Sequence, residues 1–182
     1  MTRNIKQITF GIVAFVFVMA FNTMVHAKDV LVLETSKGTV EIEFLPNVAP
    51  NHVAQVSKLA KSGFYNGIVF HRVIEGFMAQ TGDPTGTGSG GSKEPNIKAE
   101  FSITPFDRGI VGMARSQSRN SANSQFFIMF DQGHFLNGQY TAFGRVIKGM
   151  DAVDALQKGE GQGGIVPPNK RDKIIKASVV SR

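Results

Sequence analysis

One arginine and one glutamine interrupt an otherwise apolar hairpin, FHRVIEGFMAQTGD, running from Phe70 to Asp83. Arginine is seldom found among apolar neighbours without a partner or a task. Strand alternation predicts Ile68, Phe70, Arg72 and Ile74 on one face and Val69, His71 and Val73 on the other, with Met78 and Gln80 sharing a face across the Glu75-Gly76 turn. A cation, an amide and a thioether would then converge on one patch. A second run, Gln125 to Phe130, is apolar on both faces, with Gln125, Phe127 and Met129 opposite Phe126, Ile128 and Phe130. One face must enter the core, and the other is expected to leave exposed aromatic surface of the kind that binds.

The chemistry open to this set is narrow. The chain has no cysteine, which excludes disulfides, thiolate metal sites and thiol nucleophiles. His52, His71 and His134 lack metal-ligand spacing, and no G-x-S-x-G elbow is present. His71 falls on the strand face opposite Arg72 and reads as a satisfied buried histidine. Neither covalent nor metal chemistry is supported. An apolar groove with a fixed cation and a few amides can still hold an extended peptide and act on it electrostatically. Rotation about an X–Pro bond needs no more than this. Its barrier of ~18–20 kcal/mol is lost amide resonance, and in the twisted state the prolyl nitrogen regains a lone pair. A guanidinium donor aimed at that nitrogen binds the twisted amide better than the planar one, and only such differential binding accelerates the step. From spacing alone, Phe77, Met78 and Phe127 read more readily as core than as a pocket, and Arg72 reads equally as an ion-pair arginine.

Short strands must position these groups. Val30–Thr35 and Thr39–Phe44 flank a Ser-Lys-Gly turn, and in the second strand Glu41 and Glu43 are expected on a wet face. Val53, Val56, Leu59 and Ala60 recur at helical spacing until Gly63. Gly109–Ala114, Thr141–Ile147 and Lys173–Val180 are further strand candidates, and Asp151–Leu156 a second short helix. Many strands and two helices point to an antiparallel barrel or sandwich with helical plugs. The Gly82–Ser92 loop contains Gly86-x-Gly88-x-x-Gly91, a formal dinucleotide fingerprint. Its context is wrong, because Pro95 and an extended Ile97–Phe101 follow where a helix should open.

Residues 1–27 read as a secretory signal peptide: Arg3 and Lys6, an apolar run from Ile8 to Phe21, then Val25-His26-Ala27. The run is short for a span of ~20 residues, so cleavage after Ala27 is expected rather than a stable membrane anchor. The expected mature domain, residues 28–182, is large enough for a core without disulfide staples. Losing Arg3 and Lys6 takes the 20 basic residues to 18 against 14 acidic, so the formal charge falls from +6 to +4. The bases are scattered, which argues against a nucleic-acid surface.

FHRVIEGFMAQTGDPTGTGSGG, the Gly109–Ala114 segment, Ser124-Gln-Phe-Phe-Ile, Phe135-Leu136 and Ala142-Phe-Gly-Arg-Val together resemble the cyclophilins, in order and over essentially all of residues 28–182. The resemblance implies an eight-stranded antiparallel closed β-barrel capped by two α-helices, with peptidyl-prolyl cis/trans isomerase activity on exported proteins and no cofactor. By position, Arg72 looks like the catalytic arginine, and Phe77, Met78, Phe127 and Leu136 like the proline pocket. Gln80 and Gln125 look like groove amides, and Ala114 and Arg115 like the substrate-backbone edge. Phe135 stands where many members carry tryptophan, Tyr140 where many carry histidine, and Arg115 replaces an asparagine; these features are similar to bacterial members. Implied partners are proline-containing peptides and unfolded exported proteins. A monomeric, periplasmic protein is expected. Phenylalanine has no indole N–H, so weak cyclosporin binding is expected as well.

Overall fold

The computed structural model describes residues 28–182; the signal peptide expected over residues 1–27 lies outside the described residues. Eight antiparallel strands form one curled sheet: β1 (Asp29–Thr35), β2 (Gly38–Phe44), β3 (Arg72–Ile74), β4 (Met78–Thr81), β5 (Ile110–Met113), β6 (Phe126–Met129), β7 (Ala142–Lys148) and β8 (Ile174–Ser181). Their order is β3-β4-β6-β5-β7-β2-β1-β8. Two helices accompany them, α1 (Pro50–Lys61) and α2 (Met150–Asp154). The architecture is mainly β, with a half-barrel curl. The expected full closure goes further than the strand pairing does, since β3 and β8 share no ladder. The gap between them is crossed by separate hydrogen bonds, Phe70 N–H to Asp172 O and Ile174 N–H to Ile68 O, and by an isolated bridge between Val69 and Lys173.

The sheet divides two apolar clusters. Leu31, Ile42, Phe126, Ile128 and Phe143 fill the larger one, where Val56 and Leu59 of α1 and Val153 of α2 close it. Phe126 meets Tyr65 and Phe143 edge-on, at ring distances of 5.5 and 6.0 Å. The smaller cluster, on the opposite side, holds Met78, Phe106, Ile110, Phe127, Met129, Leu136 and Ala142. The aromatic surface expected on β6 is therefore not exposed: Phe127 is 5% accessible and Met129 0%. Phe106 stacks on Phe127 at 5.8 Å, and the 131–139 loop lays Leu136 over the same cluster.

Alternation fails in two further places. Phe70 and Ile68 join Val73 in the main core rather than sharing a face with Arg72. The reason is that β3 begins only at Arg72, so no regular pleat runs through residues 68–71. The wet face expected for β2 is also covered. Glu43 is buried between Lys28 and Arg145, and Glu41 between Arg182 and Lys148. Extended Ile97–Phe101 reduces to a single bridge from Ile97 to Ala122. Helix α1 opens with Pro50, whose missing N–H suits a first turn. It has no local side-chain cap; Glu100 reaches in and accepts from the Asn51 and His52 N–H groups.

Candidate functional site

Strand register places the key groups in one row. Arg72 pairs with Gln80, Gln80 with Phe127, Phe127 with Gly112 and Gly112 with Ala142, across β3, β4, β6, β5 and β7. A neighbouring row runs Ile74, Met78, Met129. Side chains in cross-strand rows share a face, so the cation, the amide and the aromatic floor are neighbours by construction. Gly112 matters here because a Cβ would lie 2.5 Å from Phe106 Cε1 and 2.6 Å from Phe127 Cζ. Only a glycine lets the two stacked rings rest on the sheet.

A cavity of about 250 Å³ opens on this row. Its walls are Arg72, Phe77, Met78, Gln80, Ala114, Arg115, Phe127, Phe135, Leu136 and Tyr140, the expected site residues apart from Gln125. Phe135 is 71% accessible and leans on Phe77 at a ring distance of 5.5 Å, forming an open lip. Opposite, the Arg115 guanidinium stacks over Tyr140 at 4.5 Å, and Tyr140 meets Phe127 edge-on at 5.8 Å. Arg115 donates to the carbonyls of Gln139 and Ser116, so its side chain braces that wall. Met78, Phe127 and Leu136 are thus buried and site-lining at once, in a cluster of their own beneath the cavity.

Arg72 is held along one edge. Its Nε donates to Gly163 O at 3.0 Å and its Nη1 to Gln80 Oε1 at 3.2 Å. Among the described residues it has no carboxylate within 4 Å, and Nη2 makes no hydrogen bond. An ion-pair role for Arg72 is excluded on that geometry. The guanidinium keeps a free pair of donors at the cavity mouth.

A family model described as cyclophilin type peptidyl-prolyl cis-trans isomerase/CLD matches residues 30–179. The chain belongs to the cyclophilin-type peptidyl-prolyl cis-trans isomerase family. It is similar to a probable peptidyl-prolyl cis-trans isomerase of Brucella abortus (strain 2308), 54% identical over 164 residues that cover 84% of this chain and 83% of the relative. The fold is similar to a crystal structure of a Cryptosporidium parvum cyclophilin type isomerase, with a TM-score of 0.77 at 29% identity, covering 85% of this chain and 99% of the other. A structure of the same Cryptosporidium parvum protein in the presence of the dipeptide Ala-Pro matches with a TM-score of 0.76 at 30% identity, over 84% and 99% of the two chains. This cyclophilin is a peptidyl-prolyl cis-trans isomerase, as its family and its named relatives are.

Gln125 lies just beyond the cavity, in the floor of a second, polar depression of about 600 Å³ that shares Gln80, Ala114 and Arg115 with the first. Gly88–Ser92, Asn96, Ser116, Ser121 and Asn123 complete it, and sequence reading did not assign them. The glycine fingerprint also finds its explanation here. The N–H groups of Thr85, Gly88 and Gly90 all donate to the Asp83 carboxylate, at 2.7, 2.6 and 3.2 Å. The cradle that would suit a phosphate is filled by the chain's own anion. Burial pushes the Asp83 pKa up, but the Thr85 hydroxyl and these amides outweigh it and pull the value down to about 2. The Gly-Asp-x-Thr sequence at the loop entry is a legible Asx-turn signal.

The histidines stand apart from the cavity. His71 is 2% accessible, yet neither ring nitrogen has a partner among the described residues, so the expected satisfied histidine is buried but unsatisfied. Burial, reinforced by Arg171 and Arg72 and only partly opposed by Asp83, lowers its pKa. His52 Nδ1 meets Glu100 Oε2 at 2.6 Å, and burial still lowers its pKa against that carboxylate. His134 pairs with Asp107 at the surface. These carboxylates come from 48 and 27 residues away, beyond any local spacing. Among the described residues, no group of three or more acidic and imidazole side chains is placed to hold a metal.

Proposed function

We propose that this cyclophilin is an exported bacterial isomerase, acting as a periplasmic monomer on X–Pro bonds of secreted chains as they fold, with Arg72 as its catalytic residue. The observation that carries the mechanism is the half-tethered guanidinium of Arg72 above an apolar cavity. Proline enters between Phe77, Met78, Phe127 and Leu136, with Phe135 as the lip. The twisting amide brings the pyramidal prolyl nitrogen beneath Arg72 Nη2, which donates to the lone pair that appears only in the transition state. Gln80 and Gln125 anchor the peptide backbone, and Ala114 and Arg115 line its edge. No covalent step occurs. Support for export comes from the leader features of residues 1–27 and from a domain whose core needs no disulfide.

Cis-to-trans exchange of an Ala-Pro peptide tests the mechanism. Arg72→Ala should lower kcat/KM by about 10²–10³, the usual cost of one transition-state donor. Equal rates for the two proteins would remove Arg72 from the mechanism. Export is tested by cell fractionation with mass spectrometry of the intact protein: a periplasmic species beginning at Lys28 is expected, and a cytoplasmic full-length species contradicts it.

A further inference from the structure

The Gly86–Gly91 loop touches neither Arg72 nor the apolar cavity, yet a continuous hydrogen-bond path joins it to the guanidinium. Gln125 Nε2 donates to Gly88 O at 3.0 Å and to Gly90 O at 2.8 Å. Gln125 Oε1 accepts from Gln80 Nε2 at 2.9 Å, and Gln80 Oε1 accepts from Arg72 Nη1 at 3.2 Å. The polarity of this path is set at its far end. A side-chain amide turned end for end exchanges donor for acceptor at similar volume. Backbone carbonyls only accept, so the loop forces Gln125 to present Nε2 to it. Oε1 then faces Gln80, which must offer its own Nε2 and leave Oε1 for the arginine. With the loop carbonyls withdrawn, both amides can turn end for end, and Gln80 then presents its N–H₂ group toward the guanidinium, donor against donor.

The carbonyls stay in place because Asp83 holds the backbone N–H groups of the same two glycines, one peptide unit earlier in each case. Its carboxylate takes the Gly88 and Gly90 N–H groups on Oδ2, and the Thr85 N–H and hydroxyl on Oδ1. Gly90 permits the approach, since a Cβ there would sit 2.1 Å from Asp83 Oδ1. Arg171 Nη1 pins Gly86 O at 2.9 Å. Asp83 is 1% accessible and reaches no part of the cavity itself.

We propose that Asp83 is a positioning residue for Arg72, acting through the Gly88 and Gly90 carbonyls and the amides of Gln125 and Gln80. This rests on Arg72 acting at the prolyl nitrogen. The test is a double-mutant cycle in the full chain between Asp83→Asn and Gln125→Ala. It is read by kcat/KM in the exchange assay, by thermal unfolding, and by the Arg72 Nε–Hε resonance in ¹⁵N NMR. Asp83→Asn should lower kcat/KM about tenfold and shift or broaden the Arg72 resonance. Added to Gln125→Ala, it should change kcat/KM by less than about twofold, because the path is already cut. Wild-type activity and an unmoved Arg72 resonance in Asp83→Asn overturn the proposal, as do effects that simply multiply in the double variant. If Asp83→Asn does not fold, Thr85→Val, which removes the hydroxyl donor at Asp83 Oδ1, takes its place in the same cycle with the same criteria. Arg72→Ala is run alongside. Full activity there sinks the role of Arg72 itself, whereas the Arg72 resonance still reports whether Asp83 positions it.

Discussion

Arg72 and Phe127 lie in one cross-strand row with Gln80 between them as the registered partner of both. The cation and the aromatic floor are therefore held at a spacing set by two inter-strand steps, ~4.7–4.9 Å each, rather than by loop conformation. A site on paired strands is stiffer than one on loops, and that suits a reaction whose catalysis is placement of one charge.

Gln80→Glu should impair the enzyme without unfolding it. A carboxylate at this position accepts from Arg72 in a charge-assisted bond, neutralises the guanidinium and cannot donate to Gln125 Oε1. The expected outcome is a fall in kcat/KM of about tenfold or more, with the melting temperature within a few degrees of wild type. Exchange kinetics and calorimetry on the same sample check both halves.

Gly112→Ala should strike stability and activity together. The new methyl group would overlap the Phe106 and Phe127 rings at 2.5 and 2.6 Å, and overpacking of this kind costs ~1–3 kcal/mol. Urea unfolding should show the loss, and reduced kcat/KM should accompany it because Phe127 is the pocket floor. A variant as stable and active as wild type would show that the rings yield freely.

Acid should destabilise the fold in two windows. His52 and His71 have lowered pKa values because burial disfavours the charged ring. Below the unfolded value of about 6.5, the unfolded chain binds protons that the folded chain refuses, so stability falls as pH drops. Glu43, held by Lys28 and Arg145, and Glu100 and Asp83, whose hydrogen bonds outweigh burial, have depressed pKa values. Their contribution is complete above about pH 4–4.5 and is lost as pH falls through the folded values, down to about 2 for Asp83. Urea midpoints should decline from pH 7.5 to 5.5 and more steeply by pH 3.5. His71→Phe should flatten the first decline; an identical slope in that variant contradicts the neutral, buried imidazole.

Cyclosporin should bind weakly, because Phe135 has no N–H to donate. Phe135→Trp adds one donor on an exposed lip, and a neutral hydrogen bond is worth ~0.5–1.5 kcal/mol. Titration calorimetry should find affinity raised by about twofold to tenfold. Nanomolar binding by the unaltered protein would contradict the expectation.

Pattern was enough for most of the elements and for the patch of Arg72, Met78, Gln80, Gln125 and Phe127, whereas Ala114, Arg115, Phe135, Leu136 and Tyr140 came only from the resemblance to the cyclophilins. The helical spacing of Val56, Leu59 and Ala60 reports local periodicity, which survives in α1, whereas the strand expected over Thr39–Phe44 forms but is buried on both faces from Val40 onward. Arg72 and Gln80 were legible as neighbours because a tight hairpin sets its own register. Where local rules failed, distant chain was the cause. Phe127 lost its exposure to Phe106 and Leu136, Glu41 and Glu43 to basic side chains from β7, Lys28 and the C-terminal residue, and Ile68 and Phe70 to a strand that starts late.

The sequence by itself determined which groups were available: one unpaired-looking cation in an apolar hairpin, no thiol, amides near aromatics, and a glycine loop without a helix behind it. Only the tertiary structure decided what each group faces. It put Gly163 O and Gln80 on one edge of Arg72 and left the other edge free, and it filled the glycine cradle with Asp83. It also ran the amides from that loop back to the arginine. Strand register and side-chain periodicity are local properties, whereas hydrogen-bond partnership depends on sheet order, which brings together residues as far apart as Arg72 and Gly163.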